Sequence, residues 1–445
     1  MHHFASTSAF VTLLLLAGCG EPTKTEKTEA ALITPADTVA TATKELELPA
    51  PYATESVTKR SRIVEWPQAE MPAVPTGFLV TQYAAGLESP RNMYVLPNGD
   101  VLVAEANTVP TDTKEKVAAA LKLDPSKSLR PTSANRITLL RDEKQDGRPD
   151  TQTVFLKDLN QPFGMLLLGG YFYVANTDGV WRYPYQEGQT SITAPGEKIL
   201  DLPAGGYNNH WTRNLLASPD GQKIYVSVGS ASNVGEHGME EERRRANILE
   251  INPDGSGEKV YAAGLRNPVG MDWAPGTNVL WTAVNERDEL GDELVPDYLT
   301  SVQAGGFYGW PYAYFGQHED PRRKGEKPEL VKKSIVPEVP LGAHTASLGL
   351  AFYDAEAFPE RYRNGAFIGQ HGSWNRSEFS GYKVVFVPFS AGKPSGPPED
   401  FLTGFIANAE KNEVYGRPVG VTVLPNGVLL VADDAGGKIW RVAAQ

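Results

Sequence analysis

One pattern of apolar and polar positions recurs six times along the 445-residue chain. A proline or other small residue is followed by a variable position and then by glycine or asparagine. An apolar run, a turn and a second apolar run come next. The copies begin at Pro90-Arg91-Asn92, Pro162-Phe163-Gly164, Thr212-Arg213-Asn214, Pro268-Val269-Gly270, Ser347-Leu348-Gly349 and Pro418-Val419-Gly420. In three copies the turn is Asn98-Gly99, Asp220-Gly221 or Asn426-Gly427, a hairpin signal at one offset. Copies roughly 50–80 residues apart, each with room for three or four short antiparallel strands, read as propeller blades. The pattern therefore predicts an all-β chain folded as a six-bladed β-propeller, in preference to a pair of β-sandwiches. Glycine at the third motif position suits inner strands that crowd around a central channel. Residues 112–123 (DTKEKVAAALKL) read as a helix, a short helical insertion in the first blade.

The chain before the first copy reads differently. Residues 10–16 are apolar but too few to span a bilayer, and they suit the core of a secretory signal. They run into Leu16-Ala17-Gly18-Cys19, which resembles the lipobox of bacterial lipoproteins and holds the only cysteine. The resemblance implies cleavage before Cys19, lipidation of its thiol and attachment to a membrane. Gly20 in place of Asp leans toward the periplasmic face of the outer membrane over that of the inner. Residues 20–72, rich in Thr, Glu, Lys, Ala and Pro, are expected to be a flexible spacer. The propeller is expected over 73–445. With its thiol acylated, the chain has neither a disulfide nor a cysteine nucleophile.

A net charge of −12 argues against nucleic acid as a partner, because a phosphate backbone requires a basic footprint. Against that acidic background, several cations stand at equivalent positions at the strand entrances. Arg91, Arg266 and Arg417 adjoin motif copies, His210 precedes Trp211-Thr212, and His344 precedes Ser347. Guanidinium groups bind planar carboxylates bidentately, so a cluster of them suits a multi-carboxylate anion. Residues 285–293 set acids around a glycine, including Asp288, Asp292 and Glu293, and suit a hard cation such as calcium. Residues 370–376 bring His371, Trp374, Asn375 and Arg376 into one loop, where an indole can stack on a planar ring. His237, beside the charged run 240–245, and His318 read as surface. No haem attachment site, P-loop, dinucleotide fingerprint or serine-hydrolase elbow is present.

These residues resemble a known family, the soluble quinoprotein sugar dehydrogenases. The resemblance rests on Asn209-His210, Gly264-Leu265-Arg266-Asn267-Pro268, Gly291-Asp292-Glu293-Leu294, residues 306–311 (GFYGWP) and Arg417. The strings at 285–294 (NERDELGDEL), 342–353 (GAHTASLGLAFY) and 369–376 (GQHGSWNR) look most like the L-sorbosone and pyranose dehydrogenase branch. The resemblance implies a propeller that binds pyrroloquinoline quinone (PQQ) and calcium on one face and oxidises a sugar or sugar-derived aldehyde. By that likeness His210 is the general base, with His344 and His371 as rivals, and Arg266 stabilises the developing oxyanion. Arg91, Arg266, Asn267, Trp374, Asn375, Arg376 and Arg417 face the cofactor. Arg287 and Asp288 hold calcium through their carbonyls, with Asp292 and Glu293 beside them. The chain departs from the glucose branch, which has a lysine-containing loop at 371–376 and Gly-Pro at 287–288. Two other classes fit the same pattern, a lipid-tethered propeller that binds glycans or partners without turnover and a metal-dependent lactonase.

Overall fold

The computed structural model describes residues 46–445 apart from 69, 111–112, 122 and 127–128. The expected signal, Cys19 and the first part of the spacer lie outside the described residues. The chain is all-β, and six four-stranded antiparallel sheets carry it. Sheet I begins with Pro90–Val95, sheet II with Gly164–Leu168 and sheet III with Arg213–Ala217. Sheets IV, V and VI begin with Pro268–Trp273, Ser347–Phe352 and Pro418–Val423. Each first strand starts at a motif copy, so the repeat marks the sheets one for one. None of the sheets closes on itself. Sheet VI draws its outer strand, Phe78–Ala85, from the other end of the domain and pairs it with Lys438–Ala444.

The third motif position explains how neighbouring sheets meet. Where it is asparagine, the side chain bridges outward: Asn92 Nδ2 donates to Phe163 O at 3.1 Å and Asn214 Nδ2 to Val269 O at 2.8 Å. Where it is glycine, the next first strand lies against it. A Cβ on Gly164 would meet Leu215 N at 2.7 Å, and one on Gly270 would meet Leu350 N at 2.5 Å. On Gly349 it would meet Val419 O at 2.2 Å, and on Gly420 Arg91 O at 2.7 Å. The contacts run from sheet I to VI and back to I. The second motif position adds Phe163, Val269, Leu348 and Val419, which bury one another across four sheets. Apolar burial at this point floors whatever lies above it. The end where the first strands begin is thus a closed surface lined by the residues just before each copy.

A helix spans Thr113–Ala120 between the second and third strands of sheet I. Its run of alanines and Glu115 in the first turn suit helix formation. Residues 46–72 differ from the expected spacer, because much of this stretch is pinned to the domain. Tyr52 N donates to Leu290 O at 2.8 Å, Arg62–Ile63 pair in parallel with Glu413–Val414, and Trp66 stacks on Tyr415 at 4.5 Å. The composition is spacer-like, but its few apolar residues and its backbone donors find partners on the sheets. Among the described residues no helix is long and apolar enough to cross a membrane.

Candidate functional site

His210 stands in the loop that enters sheet III, half-buried. Its Nδ1 lies 2.9 Å from Ser230 O and 3.0 Å from Ser230 Oγ. A carbonyl can only accept, and Ser230 Oγ places its own proton on Ser232 O at 2.6 Å. Nδ1 therefore carries the hydrogen and Nε2 keeps its lone pair. Burial, reinforced by the nearby Arg266 charge, holds the imidazole well below the usual histidine range. A neutral ring with a bare Nε2 is the form a general base needs. Asn267 and the His210 Cβ crowd the same spot over Gly229, where any added Cβ would lie 2.3 Å from Asn267 Oδ1.

Arg266 is buried and behaves differently from its expected role. Nε donates to Asn233 O, Nη1 to Glu286 O at 2.6 Å and more weakly to Asn285 O, and Nη2 to Asn233 Oδ1 at 2.9 Å and Asp288 Oδ2 at 3.3 Å. All five donors of the fork are engaged within the protein, so Arg266 acts on its surroundings by charge and not by contact with an oxyanion.

His344 is likewise not a free base. Its Nδ1 faces Asp288 Oδ1 at 3.2 Å and its Nε2 faces Gly291 O at 2.8 Å, both acceptors. Burial works against its charge, but the Asp288 carboxylate and Gly291 carbonyl together raise it above the ordinary histidine value. The imidazolium pins the 288–291 loop. Because the folded-state pKa is raised, this contribution to stability is complete below about pH 6.5 and is lost as pH rises through the folded value. Unfolding midpoints of the native chain and His344→Gln should therefore converge as pH is raised from 5.5 to 9. A gap independent of pH would show that the ring is neutral.

His371, at the end of the second strand of sheet V, points Nε2 at both oxygens of Asp434, 2.9 and 3.0 Å away. Burial and the neighbouring Arg417 hold it neutral, down at about 4, while the Asp434 carboxyl is held low by the Arg91 guanidinium and the hydrogen bond from His371. Arg91 pairs with Asp434 and lies 5.3 Å over the Trp211 ring, and its buried Nε has no partner among the described residues. Arg417 donates from Nε to His371 O and from Nη2 to Gly372 O, each at 3.0 Å.

The expected calcium donors do not converge. Asp288 O already accepts from Asn233 Nδ2 and Arg322 Nη1, each at 3.1 Å. Arg287 is wholly buried, between Glu286 at 3.0 Å and Asp320 at 2.9 Å. Asp292 receives the backbone N–H of Ser377 at 3.1 Å and its hydroxyl, and Glu293 pairs with Arg376. Among the described residues no group of three or more His, Cys, Asp and Glu could hold a metal ion. Arg322 donates to the Asp288 carbonyl, one of the two expected to hold the cation, and the side chains of Asp292 and Glu293 are engaged elsewhere.

The 371–376 loop also divides. Asn375 accepts from Glu289 N at 2.8 Å and donates to Val57 O at 3.0 Å, and Arg376 Nη1 donates to Asp292 O at 2.7 Å. Asn375 ties the 289–293 loop to the 52–59 segment, and Arg376 fastens the same loop. Trp374 is 38% exposed with Arg60 near its ring, also outside the buried cluster. What remains together is His210, Trp211, Arg91, Asn267, His371, Arg417 and Asp434. Asp434, Ser230 and Asn233 escaped the sequence reading. Each follows the second strand of its sheet, which runs antiparallel to the first and ends where the first begins, as Pro418↔Asp433 and Arg213↔Val228 show. That offset was the available signal. Glu242 and Arg245, in the charged run beside His237, are buried.

A polar planar anion fits this set better than a metal does. The buried Arg91 Nε and Asn267 Oδ1 are an unpartnered donor and acceptor on either side of His210-Trp211, and Arg417 adds positive charge.

Residues 175–373 match the glucose/sorbosone dehydrogenase family, and residues 319–445 match a family described as TrAA12-like. An aldose sugar dehydrogenase of Escherichia coli is 32% identical over 123 residues, 27% of this chain and 30% of that protein. A PQQ-dependent pyranose dehydrogenase of Coprinopsis cinerea is 23% identical over 446 aligned residues, 86% of this chain and 56% of that protein. The chain thus spans about a third and about half of these two curated relatives. Among solved structures, the holo PQQ domain of the Coprinopsis pyranose dehydrogenase superposes with a TM-score of 0.66 at 19% identity, covering 86% of this chain and all of that one. A calcium structure of a Trichoderma reesei family AA12 enzyme gives 0.67 at 19%, covering 84% and 97%. At these identities the superpositions establish a shared β-propeller fold.

Proposed function

We propose, from the premise that this chain is a relative of the PQQ-dependent sugar dehydrogenases through its glucose/sorbosone dehydrogenase segment, that it oxidises a sugar or sugar-derived aldehyde. The six sheets are then six blades, and the reaction face is the end where their first strands begin. One observation carries the reading: His210 is held with Nε2 bare and unprotonated beside a buried cluster of guanidinium groups. Arg91, Asn267 and Arg417 would hold PQQ, whose carboxylates suit guanidinium donors. When bound, the quinone supplies the two-electron oxidant that accepts hydride. His210 Nε2 takes the substrate hydroxyl proton as that C–H bond breaks, and its Nδ1–H stays on Ser230. Arg266 keeps the ring neutral between turnovers by its charge. His371, oriented by Asp434, supports the Arg417 side of the pocket.

We place the protein outside the cytoplasm, tethered through Cys19 and passing electrons to a membrane-associated acceptor. Labelling with a fatty acid, lost in Cys19→Ser, tests the tether.

The purified chain mixed with PQQ is expected to quench its own tryptophan fluorescence saturably and to reduce an artificial dye when given aldoses or aldehydic sugars. Absence of both quenching and dye reduction across such a panel would leave a binding propeller as the better reading.

A further inference from the structure

We infer that Glu242 is the residue that sets the tautomer of His210, acting through the 230–232 loop. Glu242 lies in the charged run 240–245, yet it is only 5% exposed. Its carboxylate accepts three hydrogen bonds from one short loop. Oε2 takes Ala231 N at 2.7 Å, and Oε1 takes Ser232 N at 3.0 Å and Ser232 Oγ at 2.5 Å. With Ser232 fixed, its carbonyl receives the Ser230 hydroxyl proton at 2.6 Å. Ser230 then presents only acceptors, O and Oγ, to His210 Nδ1. Asn209 N also donates to Ala231 O at 2.9 Å, so the same loop grips the chain one residue before the histidine.

Buried Ser230 and Ser232 have no access to solvent that could replace these bonds. If the loop relaxes, Ser230 Oγ can turn its proton toward Nδ1, and the hydrogen moves to Nε2, the nitrogen that must stay bare. Glu242 is matched to this task by its geometry, since both its oxygens accept from the loop. A second anchor supports the same entry loop, where Asn208 Oδ1 accepts from Arg245 Nη1 at 2.6 Å and Arg213 Nη2 at 3.2 Å. Glu242 is thus a positioning residue. The inference rests on His210 being the base, but its primary readout does not need turnover.

Glu242→Gln keeps the shape and forces an amide NH₂ against N–H donors in either orientation. With ¹⁵N-labelled histidine, the native chain should show His210 as one Nδ1–H tautomer, assigned by comparison with His210→Gln. In Glu242→Gln a mixture of tautomers should appear. Where the PQQ-loaded enzyme turns over, kcat should fall tenfold or more with KM nearly unchanged and the acidic limb of the pH profile displaced. Glu242→Asp, which keeps the carboxylate, should recover part of the single-tautomer signal. A folded Glu242→Gln that keeps one Nδ1–H tautomer and the native pH profile overturns the inference, even if activity drops. Should Glu242→Gln fail to fold, Ser232→Ala is measured in its place, and an unchanged tautomer there overturns it equally. If no sugar is oxidised by the native chain, the functional reading fails while the tautomer measurement still decides this one.

Discussion

Replacing His210 with alanine is expected to lower dye-linked sugar oxidation about 10²–10⁴-fold, the usual contribution of a positioned general base. The loss should fall on kcat and kcat/KM together, because the proton moves only as the transition state is approached. The fold should survive. His210 is half-buried, its main ties are Nδ1 to Ser230 and its carbonyl to Arg213 Nη1 at 2.6 Å, and the second of these is backbone and remains. His344→Gln and His371→Gln make the comparison informative. His344 has both nitrogens engaged, so its loss should act through stability. His371 points one nitrogen at Asp434 and is neutral, so it is the competitor. If His371→Gln abolishes turnover and His210→Ala leaves more than a tenth, the assignment of the base is reversed.

The largest loss of stability is expected from Arg287→Ala, about 3–5 kcal/mol in the range typical of breaking a buried ion pair. Arg287 is fully buried, and its fork reaches Glu286 Oε2, Asp320 Oδ2, Pro311 O and Ala313 O. Removing it leaves two buried carboxylates with only Arg322 for relief and two carbonyls with fewer donors. The shift should appear as a lower urea midpoint with an unchanged slope. The effect is tied to acid stability as well. Arg322 and Arg287 outweigh burial and hold Asp320 down at about 2. A depressed carboxyl stabilises fully above its unfolded value near 3.8, and the contribution disappears as pH falls through about 2. Asp320→Asn should therefore be most damaging near neutrality and least at low pH. A loss under 1 kcal/mol in Arg287→Ala would mean that water reaches the network.

Much of this was legible from residue order. The six motif copies place the first strands of the six sheets, and their third position is either glycine, where backbones meet, or asparagine, where a side chain bridges the gap. His210 and Arg91 emerge at the reacting end because the register sets them just before or inside first strands. The acidic side chains read as metal ligands do not gather into one site. Acids close together along 285–293 diverge in space: Asp292 and Glu293 turn toward Ser377 and Arg376 while Asp288 O meets Arg322. The spacer reading failed for a related reason. Composition reports average solvation, but a few residues such as Trp66 and Tyr52 suffice to pin an extended segment onto exposed loops and a sheet edge.

By itself the sequence determined the strand-turn-strand period, the all-β class, the family likeness and the end of the sheets at which His210, Arg91 and Arg417 stand. Those follow from local rules, alternation and turn chemistry, which act over a few residues. The tertiary structure alone decided which polar groups remain available. Arg266 and His344 look like His210 in residue type and register, yet their donors are engaged by Asn233, Asp288 and Gly291. Those partners are 22 to 56 residues away along the chain, and strand pairing and the packing of neighbouring sheets bring them within hydrogen-bonding distance. A buried donor must find an acceptor, and which one it finds depends on the packing of distant loops.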